Sequence, residues 1–388
     1  MPILAFTSDE TGAPVLSGTV GALTDLLYAC LVTGFNVVTL DSLTRDGDTV
    51  TGTLSTGHGF ATGQTVRIAG ANEPDYNGDV VVTVLSATQF TYTIAGTPTT
   101  PATGTITARR APLGWSRPYS GTNKAVFQAA AGTQFCLRVD DNAPGAGAAR
   151  EAFCRGYESM TDVDTGEGLF PTTVQLANGV VWRKSSAADA TARPWNLIGD
   201  DRFFYLSMDS YSPANGFRQL VYFGDFVSFK AGDEYHCAIS GRYNVNNANT
   251  VNQKIYVTPT NAITNPESFA ARSYTQIGTS APMQNAALFY YATAYYYTSG
   301  REGFAAENPA DLGYHIHPVL LQQVQCLRGK LPGLYALPFV RPLSHWDTLE
   351  NVENLDGRTL RAVNSGDGQG EALTTYGQFL VDVTGPWR

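Results

Sequence analysis

The chain reads as a mainly β protein, on three observations. Short runs of alternating apolar and polar residues recur along most of its length, each bounded by Gly, Pro, Asn or Asp. The composition, with 39 Gly, 20 Tyr and 19 Phe in 388 residues, suits pleated surfaces and the positive-φ turns between them. Helical spacing of apolar residues is confined to one short segment near the start. The expected architecture is a β-sandwich or barrel-type domain with a small inserted β-module and few short helices.

The elements follow in order. Leu23, Leu26, Leu27, Cys30 and Leu31 fall at i, i+3, i+4 spacing, which predicts a helix from about Gly21 to Thr33 with Gly34 as its stop. A strand at about 36–40 comes next. Strands are then expected at about 49–55, 64–69, 78–86, 89–95 and 103–109, a compact module whose turns lie at His58-Gly59 and at Tyr76-Asn77-Gly78. Asn-Gly there predicts a hairpin turn whose twist matches its strands. Thr97 to Pro101 carries two prolines and is read as a stiff connector. Five short strands in such a span suggest a small sandwich or barrel.

From Pro112 a larger β-region begins. Ala125 to Phe127, Phe135 to Val139 and Ala152 to Tyr157 read as strands, with Asn142 to Gly147 as a mobile loop. Phe203 to Met208, Arg218 to Phe223 and Tyr235 to Ile239 continue the series, and Asn244 to Asn252 reads as a surface loop. Ala287 to Tyr297 is aromatic on both alternating faces, so a strand there needs cover on both sides, from its own domain or from a neighbouring subunit. Pro318 to Val324, Leu334 to Phe339 and Thr375 to Val383 complete the pattern. No repeat of constant period emerges, which speaks against a solenoid or propeller.

Charge and cysteine usage narrow the function classes. A net charge of -9 and the lack of any dense basic run argue against a nucleic-acid-coating role, because phosphate contacts need clustered Lys and Arg. Lys is scarce, at 5 against 20 Arg, and Arg with Tyr is the pairing that interface cores favour. Cys30, Cys136, Cys154, Cys237 and Cys326 are odd in number and contain no Cys-x-x-Cys, so buried free thiols made in a reducing compartment are expected. Whether Cys136 and Cys154, on predicted neighbouring strands, form a pair stays open, since spacing does not supply Cβ geometry. The start lacks a basic and then apolar leader pattern, and no run reaches the roughly 18 apolar residues of a membrane span, so a soluble chain made in the cytoplasm is the expectation.

Several constellations invite chemistry. His315 and His317 would share a strand face, with His345 further on, but no carboxylate or Cys stands at ligand spacing, so a polar strand edge is expected rather than a metal site. Asp162-Val163-Asp164 superficially suggests a calcium loop; without the remaining oxygen ligands it reads as a turn satisfying its own backbone. Asp140-Asp141 and Asp200-Asp201 raise the question of a glycosidase pair. Adjacent strand residues point to opposite faces, so neither pair can itself flank a sugar. No nucleophile elbow, P-loop, dinucleotide fingerprint or His-Glu-x-x-His occurs. The expectation is no catalytic residue, no cofactor and no metal.

Some blocks nevertheless carry a family resemblance. The module, through His58 to Val66 (HGFATGQTV), Ile68 to Ala71 and Tyr76 to Gly78, looks like a small Ig-like insertion recurrent in tailed-bacteriophage structural proteins. Gly114-Trp115, Gly121 to Phe127, Leu137 to Asp141, Arg155 to Asp162, Ala192 to Trp195 and Gly199 to Tyr205 extend it. Over about residues 1–240 the chain resembles virion structural proteins of tailed phages of Gram-negative hosts. That resemblance implies a symmetric homo-oligomer on the particle, contacts with other virion proteins and no catalytic residues. The domains expected are 1–45, an N-terminal segment packing on the main domain; 46–110, the Ig-like module; and 111–388, a β-rich assembly domain. A tail or baseplate position leads, with capsid decoration or binding of a host-surface glycan as alternatives. Neither nucleic acid nor membrane insertion is expected.

Overall fold

The computed structural model describes residues 2–142, 148–210, 218–242, 268–286, 313, 316–323, 326–337, 343–366 and 376–388. The expected strand at Ala287 to Tyr297, the Asn-rich loop and His315 lie outside them. The backbone contacts divide into two units, one of Met1–Ala5, Leu16–Thr24 and Trp115–Arg388, the other of Phe6–Val15 and Asp25–Gly114.

The chain opens on strand β1 (Leu4–Thr7) and helix α1 (Ala22–Tyr28), which widens into one π-helical turn at Ala29–Thr33. Leu23, Leu26, Leu27, Cys30 and Leu31 are all fully buried, so the predicted apolar stripe is the buried one. Gly34, at φ 74°, ends the element in a conformation that costs a Cβ-bearing residue energy.

The smaller unit contains β2 (Phe35–Thr39), β3 (Ser42–Asp46), β4 (Thr49–Thr53), β5 (Thr65–Ala71), β6 (Gly78–Val81), β7 (Thr83–Ser86), β8 (Gln89–Thr93) and β9 (Gly104–Arg110). They form two antiparallel sheets, in the orders β2-β9-β5-β6 and β3-β4-β8-β7. Two corners join the sheets. At one, Leu40 N donates to Ile106 O and the next residue, Asp41 N, to Thr53 O, so one strand passes from the first sheet to the second. At the other, only Val82 separates β6 from β7, and its N–H donates to Gln64 O at 3.0 Å. Backbone pairing therefore runs round a closed ring, which leaves no open sheet edge for another chain to extend. Val50, Val66, Ile68, Phe90, Tyr92 and Ile106 alternate inward to fill it, and a Cβ on Gly52 would lie 2.6 Å from the Phe90 ring. The second sheet, β3-β4-β8-β7, has the A-B-E-D order of an immunoglobulin sheet, while in the first β2, which precedes these strands in the chain, stands where a G strand would.

One predicted turn needs correction. Asn77 sits at φ -83°, not in the left-handed region a type I′ turn requires, and a 3-10 turn at Pro74–Tyr76 precedes it. Its side-chain amide instead bridges Ala71, accepting from the backbone N–H at 3.0 Å and donating to the carbonyl at 2.8 Å. The amide thus does locally what a turn hydrogen bond would do.

The larger unit builds a five-stranded antiparallel sheet from β10 (Ser116–Gly121), β11 (Lys124–Gln128), β12 (Cys136–Asp140), β13 (Glu151–Tyr157) and, after the small hairpin β14 (Ser159–Met160) and β15 (Gly166–Glu167), β16 (Val180–Arg183). The other strands are β17 (Trp195–Gly199), β18 (Phe203–Asp209), β19 (Arg218–Asp225), β20 (Val227–Ser228), β21 (Cys237–Ser240), β22 (Ser268–Ala270), β23 (Ala281–Ala286), β24 (His317–Gln323), β25 (Cys326–Leu337), β26 (Thr348–Glu350), β27 (Thr359–Gly366) and β28 (Tyr376–Asp382). They pair in the order β17-β18-β19-β21-β22-β23-β24-β25-β28-β27-β26, while β20, the continuation of β19, pairs with β25. The sheet so curls back on itself around a core that includes Phe203, Tyr205, Tyr222, Leu321, Leu334, Phe379 and Trp387.

Its opposite face is covered as well. Phe204, next to Phe203 and therefore on the other side of β18, meets Trp115 and Trp182 edge-on at centroid distances of 5.4 and 6.2 Å. Phe223 stacks on Phe170 at 6.3 Å, and Trp182 Nε1 donates to Ser240 O at 2.7 Å. Two-sided cover explains why every residue of β13 and β18 is buried and why Phe203-Phe204-Tyr205 shows no polar alternation. The mainly β, sandwich-type fold expected from the sequence is the one observed.

Candidate functional site

The acids singled out in the sequence are engaged inside the fold. Asp141, just past β12, is fully buried; its Oδ1 meets Lys184 Nζ, also fully buried, and its Oδ2 accepts from Leu23 N at 2.9 Å. Burial pushes its carboxyl up to about 6 even though Lys184 pulls the other way. Asp140 points to the opposite side, where Arg138 lies at 3.2 Å and Lys124 at 3.6 Å. Asp162 Oδ1 accepts from Asp164 N at 2.7 Å and Thr165 N at 2.8 Å, the self-satisfied turn of the β14–β15 hairpin. Asp164 in turn binds Lys124 and Arg138.

Of the three histidines singled out, His315 lies outside the described residues and the other two have separate settings. His345 lies 2.8 Å from Asn196 Nδ2 through Nε2 and accepts from Asn364 N through Nδ1, while His317 sits in β24. Among the described residues no group of three His, Cys, Asp or Glu could hold a metal ion. Cys136 pairs in register with Tyr157, and Cys154 with Val139, so the two thiols lie on adjacent strands but out of register, and both are free.

A grouping that sequence reasoning missed lies in the larger unit. An open groove of about 710 Å³ is lined by the Gly132-Thr133 loop before β12, Arg202 in the β17–β18 turn, Phe226 to His236 between β19 and β21, and Arg388. The local folding explains the placement. Asp200 Oδ1 accepts from Arg202 N and Phe203 N, both at 2.8 Å, which makes a tight turn and projects the Arg202 side chain. Gly132, at φ +75°, is needed because a Cβ there would stand 1.9 Å from Asp225 Oδ2.

The carboxylates behind and beside the groove are held by the protein itself. Asp225, almost fully buried, accepts from Thr133 N at 2.8 Å and Thr133 Oγ1 at 2.6 Å. Asp233 accepts from Ser228 Oγ at 2.6 Å and from Arg328 Nη2 at 2.9 Å, and Asp200 from Arg388 at 3.2 Å. His236 has an acceptor at each ring nitrogen, Asp233 O at Nδ1 and Asp225 Oδ2 3.4 Å from Nε2. Burial pulls its pKa down, but the hydrogen bond to Asp225 and the charges of Asp225 and Asp233 outweigh that and raise it. Lys230 Nζ donates to Tyr274 O at 2.6 Å. The Arg202 guanidinium, half-buried, has no hydrogen bond or ion pair to any described residue. No spacing rule reveals this grouping, because its members come from four separate segments.

No protein-family model and no curated protein matches the chain. Among solved structures it is similar to the phage phi92 endosialidase, with a TM-score of 0.18 and 11% identity over 90% of this chain and 52% of that one. The chain spans about half the length of that structure, and a likeness of this size carries no argument about fold or function. No helix among the described residues is long and apolar enough to cross a membrane.

Proposed function

We propose that the chain is a structural component of a tailed-phage virion, a tail or baseplate protein that assembles into a symmetric homo-oligomer and acts by assembly and not by catalysis. The observation that carries the reading is where the phage-like sequence blocks fall. Leu137 to Asp141, Arg155 to Asp162, Ala192 to Trp195 and Gly199 to Tyr205 make the five-stranded sheet, its hairpin and the adjoining strands of the large sheet. Their polar groups serve strand-to-strand contacts: Arg138 with Asp164, Asp141 with Lys184, and Glu158 with Arg272 at 2.6 Å. Residues spent on architecture are what a building block requires. A surface with only 15% charged residues and 20 Tyr fits broad subunit contacts.

Purified particles and the purified chain test this. The chain is expected in particles, and in solution at a mass that is a multiple of 41.6 kDa by light scattering. A strict monomer at high concentration, absent from particles, would refute it. Capsid decoration is the nearest second reading, separated by which neighbours the chain touches in a particle image. Binding of a host-surface glycan draws its support from the polar groove around Arg202.

A further inference from the structure

We infer that the groove at Gly132-Thr133, Arg202, Ser228 to His236 and Arg388 is a binding site for an acidic sugar, with Arg202 as the contact to its carboxylate. The inference develops the glycan-binding reading of the previous section and does not depend on assembly. A volume of about 710 Å³ is of small-ligand size. Asp233 in the lining, and Asp200 and Asp225 behind it, already accept two or more hydrogen bonds each from the protein, whereas the Arg202 guanidinium has none to any described residue. A planar guanidinium fork matches a carboxylate bidentately, and such charged hydrogen bonds are the strong ones.

The mixed lining decides the kind of anion. Glu234 is exposed on the wall, and Thr133 and Ser228 belong to the same lining, so donors on the ligand find acceptors. A doubly charged phosphate would be repelled by the exposed Glu234 carboxylate and could not use it as an acceptor. A single carboxylate carried on a polyhydroxylated ring meets a cation for its charge and acceptors for its hydroxyls. Val227, half-buried in the same lining, offers a small apolar patch to the ring's C–H face.

The test uses the full chain with glucuronate, glucose and inorganic phosphate as probes, followed by saturation-transfer NMR. Glucuronate should bind, glucose at least about tenfold more weakly, and Arg202→Ala should lose glucuronate by a similar factor. Arg202→Gln, which keeps the stem against Gly132, should lose it as well, with an unchanged circular dichroism spectrum guarding against misfolding. Equal binding of glucose and glucuronate, no binding of glucuronate, or wild-type affinity in both variants would overturn the site. Phosphate displacing glucuronate at equal concentration would overturn the choice of an acidic sugar. None of these outcomes bears on whether the chain assembles in a particle, which the copy number decides separately.

Discussion

Replacing Lys184 by Met should be among the most damaging single changes in the larger unit. Lys184 and Asp141 are both fully buried, and the lysine also donates to Thr19 O. Removing it strands a carboxylate that keeps backbone N–H partners such as Leu23 but loses its counter-charge. Breaking a buried pair from one side costs about 3–5 kcal/mol, whereas replacing both charges together is often close to neutral. In Asp141→Asn with Lys184→Met the amide oxygen still accepts from Leu23 N, so the double variant should recover about 2 kcal/mol or more of the loss. All five tryptophans, Trp115, Trp182, Trp195, Trp346 and Trp387, lie in the larger unit, so their fluorescence follows its unfolding alone. With a urea slope of about 3 kcal/mol/M, Lys184→Met should lower the midpoint by roughly 1–1.7 M.

The same cluster fixes a pH signature. Asp141 is held at about 6 in the fold against an ordinary 3.8, so the folded state binds the extra proton between those values. Stability from this group is therefore present below about 4 and is lost as pH rises towards 6, by up to about 3 kcal/mol. That fall should vanish in Asp141→Asn. A Lys184→Met midpoint within about 0.3 M of wild type, or a double variant as weak as the sum of the singles, would refute the pair as described.

Three further changes probe other parts of the account. Phe90→Ala empties the centre of the closed ring and should cost about 3–5 kcal/mol, read as accelerated hydrogen exchange across β4, β5, β8 and β9. Gly132→Ala forces a positive-φ position and drives a Cβ into Asp225, so it should destabilise the larger unit by about 2 kcal/mol or more in the same urea assay. His236, raised by Asp225, contributes stability that is complete below 6.5 and lost as pH climbs through its folded pKa; in His236→Asn that loss above 6.5 should be missing from the profile.

Particular elements show how far the sequence reaches. Period-two alternation located β4, β5, β8 and β9, and the leucine stripe located α1, because one face of each is core and the other is not. The span 78–86 reads as one strand, and in pairing terms it nearly is one; what no pattern reveals is that Val82 carries it from one sheet to the other. β3 went unread because Ser42-Leu43-Thr44-Arg45-Asp46 buries only Leu43 fully. Asn77-Gly78 misled because an Asn side chain can satisfy a backbone without adopting the turn it usually signals. The Asp141–Lys184 pair and the Arg202 groove were invisible for one reason: their members are brought together by sheet topology across dozens of residues, with no local spacing to mark them.

The central claim is that this chain is a repeated building block of a virion. Imaging purified particles by electron cryo-microscopy tests it most directly. The account predicts density fitting the closed ring of β2 to β9 and the curled large sheet, in several copies related by the particle's symmetry. Particles that contain no such density, together with a chain that remains monomeric when concentrated, would contradict it.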